Sequence, residues 1–251
     1  MKRLIFFQFT VFIYGLLIGS FLNVVIYRLP NDESIIFPRS HCPNCETKLG
    51  VIDLIPIISF VFNKGRCRYC RTKISWQYPL VELLTGIFLT ILFIQYQFSV
   101  NFWIYAFLTI LLMTCTFIDY KHKIIPNKIT YPGILIGLIL SILFNHITLQ
   151  SALLGILIPG GFLLLVAIIT KGGMGIGDVK FAAMIGTYIG AEYTLIGIFI
   201  GSLVGSVLGL GLIGLGLKDR KSRIPFGPLI ALGNTLMLFW GEEVVGWYLQ
   251  I

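Results

Sequence analysis

Repeated long apolar runs limit what this chain can fold into more than any other feature of its sequence. Most of them approach the about 20 residues that a helix needs to cross a bilayer. Hydrophobic residues make up 57% of the 251 positions and charged residues only 12%, which excludes an ordinary soluble domain. The sequence predicts an all-α polytopic membrane protein with about eight transmembrane helices, the sixth of them short. The runs lie at roughly 4–27, 78–97, 102–119, 130–146, 149–170, 179–190, 193–217 and 226–249.

Lysine and arginine are confined almost entirely to one set of connections between these runs. All of the 19 basic residues except Lys2 and Arg3 lie in segments that share one side of the membrane if each run crosses once. The positive-inside rule makes that side cytoplasmic. The net charge of +8 therefore reflects orientation, and we expect the lipid bilayer, but no nucleic acid, as a partner. The basic segments are 28–75, 121–128, 171–180 and 218–223.

Two CxxC pairs lie in the first cytoplasmic segment. Cys42 and Cys45 form the first pair, and Cys67 and Cys70 follow after 21 residues, a spacing typical of a four-cysteine zinc site. Disulfides or free thiols are the alternative, but the cytoplasm disfavours disulfides. Four thiolates leave no open coordination position, so the predicted Zn²⁺ is structural. We expect residues 1–29 to form the first transmembrane helix and residues 30–77 a small cytoplasmic zinc-binding loop domain.

A glycine-rich segment, 171–180, contains an aspartate between two strongly apolar stretches. Asp178 follows four glycines, among them Gly175 and Gly177. Glycine permits positive φ and close approach of another backbone. A carboxylate at the edge of a bilayer is costly and indicates a functional site. The simpler interpretation is an acid at the start of a helix, where it is favourable.

Asp119 supplies a second carboxylate at the same predicted depth, at the cytoplasmic end of the third run. If Asp119 and Asp178 meet in the bundle, their repulsion favours sharing one proton, as in aspartic proteases. One carboxylate could then activate water while its neutral partner polarises a peptide carbonyl. The alternative for Asp119 is an interfacial charge paired with Lys121 or Lys123.

Glu82 is the third acid near a membrane segment, at the start of the second run. Two interpretations stay open: a buried partner of a loop arginine, or part of a polar site. Glycines at intervals of four, at positions 15 and 19 and at positions 197, 201, 205 and 209, indicate helix–helix contact.

The combination of these motifs resembles the type IV prepilin peptidases, bifunctional leader peptidases and N-methyltransferases of the GxGD membrane aspartyl protease class. The resemblance covers nearly the whole chain. Asn127 departs from the family pattern, where many members have Asp, and Asp53 stands where Asn is common. The similar segments are Gly19–Pro30, Gly65–Cys70, Ile74–Glu82, Asp119 with Ile125–Asn127, Gly175–Lys180 and Pro225–Pro228.

The resemblance implies a function and assigns roles to residues. Residues 78–251 would form the protease core, with Asp119 and Asp178 as the catalytic pair and Gly175, Gly177 and Lys180 as the supporting motif. The substrates would be prepilin-like membrane proteins, cleaved at the cytoplasmic face of the bacterial cell membrane. S-adenosylmethionine would then methylate the new N-terminus. Glu82 is a candidate for this second activity or for another polar site.

Two other functions fit parts of the sequence. A proton-coupled transporter with a zinc-ribbon regulatory loop could also use paired acids. Such transporters usually contain internal repeats and charges at the membrane midplane, whereas these acids lie at one face. A non-catalytic membrane assembly factor would explain the cysteine loop but not the glycine-flanked Asp178.

Overall fold

A computed structural model describes residues 2–171, 173–217, 219 and 225–249. Within these residues the chain is helical and contains no β-strand, only two isolated bridges in the cysteine loop. The chain divides into two compact units, Met1–Phe102 and Trp103–Ile251. The predicted all-α membrane architecture is confirmed, since six of the described helices are long and apolar enough to span a bilayer.

Two long helices, α1 (Lys2–Arg28) and α3 (Gln77–Tyr96), pack together in the first unit. Gly15 lies against Gly86, and Gly19 lies against the backbone of Glu82. A Cβ added at Gly15 or Gly19 would come within 2.6 Å of a Cα on α3. The predicted contact role of the first glycine pair is therefore confirmed, because only glycine allows backbones this close.

The segment between α1 and α3 is compact but has little regular structure. It contains a short helix, α2 (Ile58–Phe62), and two 3-10 turns at Leu29–Asn31 and Val51–Leu54. Arg28, buried at the end of α1, donates to the carbonyl oxygens of Ser34 at 2.9 Å and Pro38 at 2.7 Å. These charge-assisted bonds fix the direction in which the loop leaves α1.

Five helices account for most of the second unit: α4 (Val100–His122), α5 (Asn127–Phe144), α6 (Leu149–Ile169), α7 (Ile176–Gly214) and α8 (Gly227–Leu249). Their starts follow local sequence signals. Pro126 precedes α5, and the Thr148 hydroxyl accepts a hydrogen bond from the Ser151 amide at the start of α6.

The predicted count of about eight spans is not confirmed. The runs at 179–190 and 193–217 belong to the single 39-residue helix α7, and α8 is not among the six candidate spans. A straight helix of this length would extend about 58 Å, roughly twice the hydrocarbon thickness. α7 is not straight, because Gly190 has φ 79° and ψ 173°, which only glycine adopts readily.

Contacts on the two sides of Gly190 indicate that the chain reverses there. Gly177, at the start of α7, lies against Ile125, just beyond the end of α4. Gly205 lies against Leu229, close in sequence to Gly227, which contacts Asp119 near that same end of α4. The short sixth run is therefore the first arm of a helix that turns back on itself.

The glycine series of the seventh run lies along α8. Gly197 faces Asn234, whereas Gly201 and Gly205 face Leu229. The predicted packing role is confirmed for these three glycines. Small residues replace bulky ones where two membrane helices need close backbone contact.

Candidate active site and metal centre

Asp119 lies in the last turn of α4 with its side chain buried. Its Oδ2 accepts a hydrogen bond from the Gly227 amide at 3.0 Å. A Cβ at Gly227 would lie 2.7 Å from that oxygen, so a larger residue would displace the carboxylate. The start of α8 thus orients Asp119 through a backbone donor. The alternative prediction, a pairing of Asp119 with Lys121 or Lys123, is not needed to explain why the Asp119 side chain is buried.

Asp178 occupies the first turn of α7 and is also buried. Its Oδ2 accepts a hydrogen bond from the Gly175 amide at 3.3 Å, which caps the helix. Gly175 has φ −76°, so the glycine is not required here for a left-handed conformation. Close approach is the better explanation, because a Cβ on Gly175 would lie 3.2 Å from the carboxylate and one on Gly177 would lie 3.2 Å from Ile125.

The structure brings the ends of the helices that carry the two aspartates together, although 58 residues separate Asp119 and Asp178 in the chain: Gly177 lies against Ile125, six residues after Asp119. Each presents one oxygen to a backbone amide from a different helix start. Two carboxylates in a low-dielectric environment cannot both be ionised cheaply, so the pair is suited to hold one proton between them. This arrangement can both accept and donate a proton at one place, although the roles of Asp119 and Asp178 stay predictions.

The Lys180 side chain connects the start of α7 to α5. Its Nζ lies 3.0 Å from Asn127 Oδ1 and 5.0 Å from the centre of the Tyr131 ring. Asn127 therefore accepts a hydrogen bond from the lysine through its neutral amide oxygen. Lys180 positions the helix turn that carries Asp178.

The four predicted cysteine ligands come together in the first unit. The Sγ atoms of Cys42, Cys45, Cys67 and Cys70 all lie within 4.8 Å of one another, and none is in a disulfide. The Cys42 and Cys70 sulfurs are 3.8 Å apart. A tetrahedral zinc centre with Zn–S bonds of about 2.3 Å requires sulfurs about 3.8 Å apart, so the cluster fits such an ion.

The two cysteine turns repeat the same backbone pattern 25 residues apart. Cys42 N–H donates to Thr47 O at 3.0 Å, and Cys67 N–H donates to Thr72 O at 2.8 Å. The Thr72 hydroxyl, 3.3 Å from Cys70 Sγ, lowers the pKa of Cys70 to about 6. Because each threonine stabilises a neighbouring thiolate, both turns are prepared to bind a cation.

Burial has the opposite effect on one member of the cluster, raising the pKa of Cys42 to about 11. Thr47 lowers the pKa of Cys45. The sequence analysis missed both threonines, although the repeated pattern C-x-x-C-x-T-K was visible as a signal.

Asp53 joins the two halves of the loop. Its Oδ2 accepts from the Gly50 amide at 3.0 Å and from the Tyr69 hydroxyl at 2.9 Å, and Arg68 lies 3.8 Å from Oδ1. Asp53 thus adds an ion pair to the second cysteine turn. The Asp53 side chain is only 7% exposed, but that of Arg68 is 56% exposed, so solvent screens the pair and it contributes little stability on its own.

Glu82 is buried on α3 and accepts a hydrogen bond from the Ile57 amide at 2.7 Å. The Ser20 hydroxyl also interacts with it. Ile57 has φ 60°, which is strained for a β-branched residue, and the carboxylate holds it there. Among the described residues, the hydrogen bond from the Ile57 amide is the contact seen for the Glu82 carboxylate besides Ser20, and both interpretations of Glu82 stay predictions.

Sequence reasoning also missed the role of Gly227. Gly227 lies in one of the segments that resemble the family, but nothing in the sequence indicates that its amide donates to a carboxylate 108 residues earlier. Only the packing of α8 beside the end of α4 reveals it.

The fold and these clusters define a multi-pass helical membrane protein with a buried aspartate pair in one unit and a four-cysteine cluster in the other. Residues 13–96 match the family described as Bacterial Peptidase A24 N-terminal domain, and residues 106–210 match the Type IV leader peptidase family. The chain belongs to this bacterial peptidase family. The family membership predicted from the sequence motifs is confirmed.

Several curated relatives are similar along nearly their whole length. A prepilin leader peptidase/N-methyltransferase of Aeromonas salmonicida (strain A449) is 34% identical, with 96% of this chain and 93% of the relative covered. The protein of that name from Bacillus subtilis (strain 168) is 34% identical, with 96% and 97% covered. One from Neisseria gonorrhoeae is 35% identical, with 94% and 92% covered. No solved structure matches the chain.

Proposed function

We propose that this chain cleaves the leader from prepilin-like precursors and then N-methylates the new N-terminal residue. The observation that carries the proposal is the burial of Asp119 and Asp178 at neighbouring helix ends in a chain of the type IV leader peptidase family. The full-length similarity to proteins named for both activities supports the same conclusion. The family assignment gives no support to the transporter alternative.

Hydrolysis follows from a pair that holds one proton. The ionised aspartate accepts a proton from water as the water oxygen attacks the scissile carbonyl carbon. The protonated aspartate donates a hydrogen bond to the carbonyl oxygen. When the C–N bond breaks, the leaving nitrogen takes a proton from the pair, and the carboxylic acid and amine products complete the balance.

The charge distribution supports cleavage at the cytoplasmic face of the bacterial membrane. Asp119 and Asp178 lie at the ends of their helices next to the basic segments 121–128 and 171–180. The positive-inside rule assigns those segments to the cytoplasm. A precursor with a short basic leader and an apolar helix would present its cleavage site at this boundary.

Cleavage of a prepilin precursor by the purified chain tests the catalytic pair. Asp119→Asn and Asp178→Asn are each expected to abolish cleavage, because an amide side chain can neither accept a proton from water nor share one with the remaining carboxylate. Asp32→Asn is the matched control, since Asp32 has φ 56°, a conformation that Asn tolerates, and it is expected to retain activity. Substantial cleavage by either active-site variant in a folded, inserted protein would refute the role of the pair.

A structural zinc ion in the four-cysteine cluster is part of the proposal. The sulfur separations fit tetrahedral coordination, and four thiolates supply the full ligand set. The ion would hold the two cysteine turns together and fix the loop between α1 and α3. It would take no part in peptide hydrolysis.

Methyl transfer is assigned to the first unit, with Glu82 as the candidate residue. S-adenosylmethionine would supply an electrophilic methyl group to the new amine. The neutral amine would attack that methyl carbon as the C–S bond breaks, and a buried carboxylate that already accepts from an amide is suited to accept the N–H of the amine and the proton that it releases. We expect Glu82→Gln to lower methylation of a cleaved substrate while cleavage continues, whereas an equal loss of both activities would indicate a structural role.

A further inference from the structure

An exposed apolar surface surrounds the short helix α2, outside every membrane-spanning helix. Phe62 is 82% exposed, Trp76 76% and Val51 85%, and Ile58 and Val61 are exposed beside them. Together with Ile52 these residues form what we call the α2 patch. Large apolar side chains grouped at the surface of a loop are costly in water and indicate an interaction site.

The patch is held together by packing on its inner side. Phe60, the buried residue of α2, packs against Trp76 with ring centres 4.9 Å apart and ring planes tilted by 59°. The Phe60 ring also lies against Gly65, and the turn Val51–Leu54 packs on α2. The contacts of Phe60 therefore hold α2 in place, so that its other apolar side chains face the surface.

The patch begins at the membrane boundary. Trp76 directly precedes Gln77, the first residue of the spanning helix α3. Tryptophan is enriched where membrane helices meet the headgroup region. Since Trp76 contacts Phe60, α2 is tied to the end of a membrane helix.

A basic segment follows the apolar helix. Residues 63–76 contain five basic residues and no acidic residue, and Lys64 comes two positions after the end of α2. All five residues are exposed, and one of them, Arg68, is also paired with Asp53 at 3.8 Å. Apolar side chains flanked by exposed basic ones are typical of segments that lie on anionic membranes. The five are Lys64, Arg66, Arg68, Arg71 and Lys73.

We propose that the α2 patch docks into the headgroup region of an anionic bilayer, with the basic segment 63–76 on the lipid phosphates. The apolar side chains then leave water, and the positive charges meet the negative surface. The loop that carries the cysteine cluster thereby rests on the membrane from which it emerges. This role is separate from the peptidase chemistry and does not depend on it.

A single-tryptophan reporter in the full chain tests this docking. Phe62→Trp places the probe on α2 in a background where each native tryptophan is replaced by phenylalanine. The protein is reconstituted in nanodiscs of neutral phosphatidylcholine or of phosphatidylcholine mixed with phosphatidylglycerol. Quenching by brominated lipid and by acrylamide is measured in each. The native residues replaced are Trp76, Trp103, Trp240 and Trp247.

Docking predicts strong quenching by brominated lipid, protection from acrylamide, and a larger effect in the anionic nanodiscs. Lys64→Gln with Arg66→Gln is expected to reduce the ratio of docked to undocked protein by about fivefold per charge. Arg39→Gln with Lys48→Gln removes the same charge from the first cysteine turn and is the matched control. It is expected to change the ratio less.

Three results would overturn the proposal. Full access to acrylamide in both lipids would place the patch in water. Protection from acrylamide without quenching by brominated lipid would show that protein, such as a second copy or a substrate, covers the patch. Equal lipid quenching in neutral and anionic nanodiscs, or an equal response to both charge variants, would remove the role assigned to the basic segment. Circular dichroism of each variant establishes that the helices are retained.

Discussion

Gly155→Ala tests one of the closest helix contacts in the second unit. A methyl group at Gly155 on α6 would overlap the Gly186 carbonyl oxygen and lie 2.5 Å from its carbonyl carbon. Ordinary contact begins at 3.4 Å, and the Gly186 carbonyl oxygen is the nearest atom, so the two helices have to separate by about 1.4 Å. Overpacking of this kind costs about 1–3 kcal/mol of the free energy of unfolding.

Gly161→Ala on the same helix isolates that cost. A Cβ at Gly161 meets nothing within 4 Å, yet the substitution gains the same helix propensity, up to about 1 kcal/mol. The difference in unfolding free energy between the two variants therefore reports the steric contact alone. We expect Gly155→Ala to be less stable than Gly161→Ala by about 1–3 kcal/mol, which is about 5-fold to 150-fold in the unfolding equilibrium.

Equilibrium unfolding in mixed micelles, followed by circular dichroism, measures this difference. Because Asp178 lies on the same arm of α7 as Gly186, the shift that relieves the clash also displaces the carboxylate pair. Gly155→Ala is therefore expected to lower prepilin cleavage, while Gly161→Ala is expected to retain it. Equal stability and equal activity of the two variants would refute the packing argument.

Two further changes test the break in α7 and the cysteine cluster. Gly190→Ala is expected to lower the free energy of unfolding by about 1–3 kcal/mol, because φ 79° with ψ 173° is strained for any residue with a Cβ; wild-type stability would show that α7 tolerates a continuous helix there. Mass spectrometry of the native protein is expected to find about one zinc ion per chain, lost in Cys42→Ser with Cys67→Ser. Zinc retained by that double variant would contradict the four-thiolate site.

The cysteine cluster could be predicted from spacing because its ligands are contributed in local pairs. Each CxxC turn brings two sulfurs together within one short segment, so only one long-range contact was left to infer. The effect of Thr47 and Thr72 on the cysteine pKa values could not be predicted from spacing, because it depends on the turn conformation that places each threonine beside a sulfur.

The count of about eight spans stays a prediction. The sequence separated the runs 179–190 and 193–217 beside the polar Glu192, and the structure has its backbone break at Gly190, next to that gap. Hydropathy located the gap, but it carried no signal that a single glycine with an unusual backbone conformation would take the place of a loop. The predicted domain boundaries at residues 29 and 77 stay predictions.

By itself, the sequence determined the environment and the chemistry of this protein. Apolar length requires helices in a bilayer, charge placement favours one orientation, and the residue types limit the sites to a carboxylate pair and a thiolate cluster. The tertiary structure decided which groups complete those sites. The Gly227 amide reaches Asp119, and the Gly155–Gly186 contact holds the arm that carries Asp178, because helices far apart in sequence pack where glycine lets their backbones touch.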